Sequence, residues 1–140
     1  MRTALLALLL ALAPHAGWAQ KPLPAAEARA VRHVVEAQLE AFRKGDAARA
    51  YSYAAPGIKQ MYDTPEEFME MVRSFYKVVF RPASIAFETA VRVGKDVVQP
   101  VHLTDAEGHP WVAYYPMVRD PKGRWLINGC RLSRVAGQET

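Results

Sequence analysis

The hydrophobic pattern of this sequence changes its period at Arg81-Pro82. Before this point apolar residues recur every three or four positions, which is the spacing of a helix face; after it they alternate, which is the spacing of a strand face. In a chain of 140 residues, helices followed by strands predict one α+β domain, with the helices packed on one face of a curved antiparallel sheet.

Three helices are predicted, from Glu27 to Lys44, from Ala47 to Ala55 and from Pro65 to Phe80. Gly45 can end the first in a left-handed conformation. The second is capped at its start by Asp46 and stopped by Pro56-Gly57. The third begins with a capping box, in which Thr64 is the cap and the glutamate three residues later reaches back.

One amphipathic face is predicted on each long helix. The expected buried residues are Val31, Val34, Val35, Leu39 and Phe42 on the first helix, and Phe68, Val72, Phe75 and Val79 on the third. Gln38 falls in the middle of the first apolar stripe. It is either a core amide bonded to the backbone or a polar group that faces a ligand cavity.

Four strands are predicted over residues 84–93, 97–104, 111–118 and 125–132. Pro100 has no N–H to donate, so it indicates an edge or a bulge in the second strand. In the last strand the apolar alternation slips by one residue, which predicts a bulge at Asn128-Gly129. The third strand is apolar on both faces, and because helices can cover only one of them, a homodimer through the outer sheet face is expected.

The first 19 residues have the pattern of a secretory signal peptide. A basic start at Arg2 precedes an unbroken apolar run from Ala4 to Ala13, and small residues precede a cleavage point between Ala19 and Gln20. The protein is therefore expected to be periplasmic or secreted, with no membrane span in the mature chain. The domain should cover residues 20–134, followed by a flexible tail over 135–140.

The charge pattern gives no sign of nucleic-acid binding. The formal net charge is +4, and charges of both signs alternate without a basic stripe. Cys130 is the only cysteine, so no internal disulfide is expected. The residue is either a small buried side chain in a strand or an exposed thiol.

Three segments together resemble the bacterial family called domain of unknown function 4864, which belongs to the nuclear transport factor 2-like, or cystatin-like, α+β folds. They are AQLEAFRKGDAARAYSYAAPGIKQMYDTPEEFMEMV, FRPASIAF and GRWLINGCRL. The resemblance implies a cone that encloses an apolar space between sheet and helices. It implies no catalytic residue, because the function of the family is unknown and the wider fold includes isomerases, dehydratases and non-catalytic modules.

The sequence favours a non-catalytic domain that binds a small apolar ligand or a protein partner in or around the cone, with no cofactor. An isomerase- or hydratase-like enzyme with a pocket tyrosine and a carboxylate is the first alternative, and a purely structural module with a filled core is the second. The candidate pocket residues are Gln38, Phe42, Tyr53, Phe75, Tyr76, Trp111, Tyr115, Trp125 and Asn128.

Candidates for other chemistry are weaker. Asp46 and Asp63 lie at helix boundaries, where capping and turn roles explain them, and Glu88 lies on the polar face of its strand. His102, Asp105, Glu107 and His109 cluster near one turn, but their spacing matches no compact ligand pattern. No metal site is therefore predicted.

Overall fold

The structure is a computed structural model that describes residues 20–136. The predicted signal peptide and residues 137–140 of the predicted tail lie outside the described part of the chain. The described part contains helices and an antiparallel sheet, as predicted.

The helices form the first half of the chain. They are α1 (Ala25–Lys44), α2 (Ala47–Ser52), α3 (Pro56–Met61), α4 (Pro65–Phe75) and α5 (Lys77–Phe80). Within residues 20–136, no helix combines the length and the apolar character needed to cross a membrane.

The strands, except the first, form the second half. They are β1 (Lys21–Pro22), β2 (Ser84–Phe87), β3 (Val91–Val93), β4 (Asp96–Thr104), β5 (Pro110–Arg119), β6 (Trp125–Ile127) and β7 (Arg131–Arg134). The sheet order is β1-β3-β4-β5-β6; β2 also pairs with β4, and β7 also pairs with β5. The two longest strands, β4 and β5, therefore lie side by side at the centre.

The first predicted strand is split into β2 and β3, and the split lies opposite Pro100. Phe87 pairs with Val101 and Val91 pairs with Val98. Three residues between β2 and β3, 88–90, therefore lie opposite two residues of β4, Gln99 and Pro100. The carbonyl of Pro100 accepts the amide of Glu88 at 3.2 Å. The N–H and C=O of one residue point to the same side of an antiparallel strand. The N–H that proline lacks would therefore point to the interruption between β2 and β3, on the same side as its carbonyl.

The last predicted strand is interrupted at Asn128-Gly129, where the bulge was predicted. β6 and β7 lie end to end along β5, and Gly129 has a φ of +143°. Cys130 follows in the interruption and not within a strand, and it is half-buried. Residues 128–130, in this interruption, help to form the cavity described below.

The prediction that Pro56-Gly57 ends the second helix is wrong. α2 already ends at Ser52, and Pro56 is the first residue of α3. A proline at this position costs little, because the N–H it lacks would have no partner within the helix. The linker between α2 and α3 joins the sheet, since the amide of Ala55 donates to Ile127 O and that of Ile127 donates to Tyr53 O, both at 2.8 Å.

The predicted third helix is two helices that meet at Tyr76, whose φ of −128° and ψ of 52° are not helical. Beyond it Val78, Val79 and Phe80 are all buried. They are consecutive positions of α5, which turns about 100° per residue, so this short helix is buried on more than one side. Phe75, predicted to be buried, is the last residue of α4 before the break and is 78% exposed.

The core lies between the inner face of the sheet and the helices. The inner face carries Val97, Gln99, Val101 and Leu103 from β4 and Ala113, Tyr115 and Met117 from β5. The apolar stripe of α1 packs against them, with Val31, Val35, Leu39 and Phe42 buried as predicted. The cavity described below lies between the helices and this face at Tyr115 and Ile127.

Candidate functional site

An open cavity of about 500 Å³ lies between the helices and the inner face of the sheet. Its wall contains Gln38, Phe42, Ile58, Met61, Tyr62, Phe68, Met71, Val72, Phe75, Tyr76, Val79, Tyr115, Ile127, Asn128, Gly129 and Cys130. The volume falls within the range of small-molecule sites, and the mostly apolar wall is typical of them.

Burial distinguishes an inner end from a mouth. Phe42 and Tyr115, each 1% exposed, belong to the inner end together with Gln38 and Ile127. At the mouth, Met61 is 70% exposed and Phe75 is 78% exposed. The cavity therefore extends from solvent, past two exposed apolar side chains, into the buried core.

Aromatic rings form much of the helical wall. The ring of Phe68 lies 5.9 Å from that of Phe42 and 6.2 Å from that of Tyr62, both in tilted geometry. Phe68 is presented by α4, whose start is capped as predicted by Thr64, since Thr64 Oγ1 accepts the amide of Glu67 at 3.1 Å. The Glu67 carboxylate reaches back one residue further than a capping box requires and accepts the amide of Asp63 at 3.2 Å.

Gln38 is a core amide bonded to the backbone, and it also lies in the cavity wall. It is 3% exposed and lines the cavity. Its Nε2 also donates to the carbonyl oxygen of Ala50 at 3.1 Å. The amide thus holds α2 against α1 while it forms part of the cavity wall.

Tyr115 supplies a buried hydroxyl at the inner end. No nitrogen or oxygen atom of the described residues bonds this hydroxyl, and its polar neighbour is the Cys130 thiol, a weak hydrogen-bonding group. Burial, and to a lesser extent that thiol, raises the pKa of Tyr115 well above its ordinary value. Burial likewise raises the pKa of Cys130 to about 12. Both groups are protonated and uncharged at neutral pH.

Charged side chains are absent from this wall, in which the described residues place no Asp, Glu, His, Lys or Arg. Of the three carboxylates considered as catalytic candidates, Asp63 lies before α4 and outside this wall, and the other two have partners. Asp46 caps α2 by accepting the amide of Arg49 at 3.1 Å, and Glu88 lies 2.6 Å from Nε2 of His102. The cavity therefore offers no carboxylate as a general base.

Six of the nine candidate pocket residues line the cavity: Gln38, Phe42, Phe75, Tyr76, Tyr115 and Asn128. Phe75 and Asn128 are exposed at the mouth. Tyr76 is half-buried at the junction of α4 and α5, and burial raises the pKa of its hydroxyl.

The other three candidates lie elsewhere. Tyr53 follows α2, and its hydroxyl accepts a hydrogen bond from Arg49 Nε at 3.4 Å. Trp111 donates its Nε1 to Asp105 at 3.0 Å, and the ring of Trp125 lies under the guanidinium of Arg119 at 4.5 Å. These aromatic residues pack next to polar side chains near the ends of their elements.

Several wall residues were not among the predicted pocket residues, including Ile58, Met61, Tyr62 and Met71. Ile58, Met61 and Tyr62 form an apolar turn directly after Pro56-Gly57. This apolar turn was the available signal in the sequence. It was not used because Pro56-Gly57 was predicted to end a helix, whereas in the structure these residues begin α3.

The acidic and histidine cluster is a closed turn. Ligand atoms of Asp105, Glu107 and His109 lie within 4.8 Å of one another, whereas His102 pairs with Glu88. Both carboxylate oxygens of Asp105 are already occupied: Oδ1 accepts the amides of Glu107 and His109, and Oδ2 accepts Trp111 Nε1. These bonds account for the cluster without a metal.

The comparisons with known proteins agree with this architecture. A crystal structure of an NTF2-like protein of unknown function from Shewanella baltica aligns with 84% of this chain and 100% of its own, at 13% identity and a TM-score of 0.53. This likeness shows the fold alone. No match is found among curated proteins. The family described as "Domain of unknown function (DUF4864)" matches residues 24–140, and the chain therefore belongs to the DUF4864 family.

Proposed function

We propose that this protein binds a small apolar molecule in the cavity and performs no reaction on it. The observation that carries the proposal is an open apolar cavity with no charged side chain in its described wall. Burial of an apolar ligand there would contribute about 25 cal/mol per Å² of apolar surface removed from water.

The enzymatic alternative has less support. An isomerase-like site needs a carboxylate that faces the pocket with a raised pKa. In this protein the carboxyl pKa values that depart clearly from their ordinary range are lowered, as for Glu40 beside Arg43 and Lys44 and for Asp120 beside Arg124. Tyr115 and Tyr76 could act as acids, but no base accompanies them in the described wall.

The proposal includes export and a homodimer. The pattern of residues 1–19 supports export, and N-terminal sequencing of the exported protein is expected to begin at Gln20. For the dimer, the outer sheet face carries apolar residues, including Val98, Tyr114 and Pro116, around a groove of about 590 Å³. We expect Tyr114→Lys to convert a dimer into a monomer in analytical ultracentrifugation, because it would place two like charges near each other in the interface.

Native mass spectrometry tests the binding function. The protein, expressed from its full-length sequence, is expected to carry a bound mass that is lost on denaturation. It is also expected to take up the uncharged dye N-phenylnaphthylamine with an increase in fluorescence. Met71→Trp, which fills the cavity from its wall, should abolish both signals.

Ile85→Trp is the matched control. Ile85 is 45% exposed and lies outside this cavity, so the same substitution there should leave both signals unchanged. A wild-type protein with neither bound mass nor dye uptake would contradict the proposal. Equal dye uptake by wild type and Met71→Trp would also contradict it.

A further inference from the structure

The inner end of the cavity suggests the chemical class of the ligand. Resting on the binding function proposed above, we propose that the ligand is an uncharged molecule with an apolar body and a carbonyl oxygen, held with that oxygen at the Tyr115 hydroxyl. Three features support this assignment: the absence of charge in the wall, the buried hydroxyl without a strong partner and the adaptable apolar lining.

The wall disfavours a charged ligand. A carboxylate, phosphate or ammonium group inside would lose its hydration without gaining an opposite charge, since the described wall contains none. Arg49, a cationic residue of α2, does not supply this charge. Its guanidinium donates to the Tyr53 hydroxyl, and the residue lies outside the cavity wall. Fatty acids and amines are therefore excluded from the proposed class.

The Tyr115 hydroxyl selects a hydrogen-bond acceptor. It is a donor in its protonated form, it is fully buried, and among the described residues its polar neighbour is the Cys130 thiol, a weaker acceptor than a carbonyl oxygen. Buried polar groups in folded proteins nearly always have partners, so a donor without a strong partner in a ligand cavity indicates an acceptor on the ligand. A ligand that reaches it must bring its oxygen to the innermost end, beside Cys130.

The remaining wall suits an apolar body of loosely defined shape. Phe42, Phe68 and Tyr62 offer ring faces and edges, while Met61 and Met71 are flexible and can adjust to different outlines. Selectivity would then come from the single polar contact at the inner end, and the apolar body would extend towards the mouth.

Three ligands of nearly equal shape test this assignment: methyl naphthyl ketone, naphthoate and ethylnaphthalene. Isothermal titration calorimetry on the wild-type protein should find the ketone tightest. Ethylnaphthalene should bind about fivefold to tenfold more weakly, because it cannot accept a hydrogen bond. Naphthoate should bind about 100-fold or more weakly, because its charge would be buried without a partner.

Two variants of adjacent tyrosines locate the contact. Tyr115→Phe removes only a hydroxyl that bonds no described nitrogen or oxygen atom, so the fold should persist, and the ketone should lose its advantage over ethylnaphthalene. Tyr114→Phe removes a hydroxyl from the opposite face of the same strand and should preserve that advantage.

The outcomes separate this inference from the binding function. If none of the three ligands binds and the neutral dye is not taken up either, the binding function itself fails. If naphthoate binds as tightly as the ketone, or if the ketone keeps its advantage in Tyr115→Phe, the cavity still binds ligands but the proposed ligand class is overturned.

Discussion

Gln38 Nε2 donates to Ala50 O at 3.1 Å, and this bond links α1 to α2 at the cavity wall. We expect Gln38→Leu to lower the free energy of unfolding by about 1–3 kcal/mol, because it leaves a buried carbonyl without this donor. Urea denaturation measures the change.

A matched control for Gln38→Leu lies on the exposed face of the same helix. Glu36 forms an ion pair with Arg32 at 3.1 Å, and both side chains are more than half exposed. Glu36→Gln should change the free energy of unfolding by less than about 1 kcal/mol. Equal losses in the two variants would show that the Gln38 bond contributes nothing particular to stability.

Phe68 and Phe75 should differ sharply in their effect on stability, although the sequence placed them on one helix face. Phe68 is 5% exposed and contacts the rings of Phe42 and Tyr62, whereas Phe75 is 78% exposed. We expect Phe68→Ala to cost about 3–5 kcal/mol of unfolding free energy. Phe75→Ala should cost less than about 0.5 kcal/mol.

The measurement for this pair is thermal and chemical denaturation of both variants. The same proteins also test the mouth of the cavity. Removal of Phe75 should weaken ligand uptake while stability is retained, because the ring supplies apolar surface at the mouth against which a ligand can pack. A large loss of stability in Phe75→Ala would contradict the exposed position of this side chain.

Local signals in the sequence were sufficient for much of the fold. The spacing of Val31, Val35, Leu39 and Phe42 gave the buried face of α1, and the slip in alternation gave the interruption at Asn128-Gly129. These features depend on neighbours within a few residues, so a single sequence contains them.

The missed features depend on tertiary contacts. Pro56 starts α3 because the linker before it bonds to Ile127, which is distant in the sequence. After the break at Tyr76, α5 packs against α1 and β4, which are distant in the sequence. The lining of the cavity also depends on tertiary contacts. Trp111 and Trp125 are aromatic residues of the kind that line such a cavity, but they pack beside Asp105 and Arg119.

The single thiol should be unreactive in the folded protein. Burial raises the pKa of Cys130 to about 12, so very little of the reactive thiolate is present near pH 8. Allowing for the greater nucleophilicity of a more basic thiolate, iodoacetamide should modify the folded protein about 50-fold or more slowly than the urea-unfolded protein. Mass spectrometry gives both rates, and equal rates would contradict the buried environment of Cys130.

Asp105 should make stability depend on pH in the acid range. The hydrogen bond from Trp111 Nε1 is the largest cause that lowers its pKa, from 3.8 to about 2, and the amides of His109 and Glu107 add to the effect. The folded protein therefore binds this proton less readily than the unfolded chain. The resulting stabilisation is fully present above about pH 4 and is lost as the pH falls towards 2.

Asp105→Asn isolates this contribution from the other acidic groups that titrate in the same range. Asparagine keeps an acceptor oxygen for the two amides but removes the charge. The difference in unfolding free energy between wild type and variant should be constant above about pH 4 and should shrink as the pH falls towards 2. In a protein that carries Trp111→Phe, the pKa of Asp105 should be lowered less, because the main cause of its lowering is removed. The effect of Asp105→Asn on the unfolding free energy should then change over a narrower pH range. Urea denaturation at a series of pH values measures both effects, and a difference that did not vary with pH would rule out this role for Asp105.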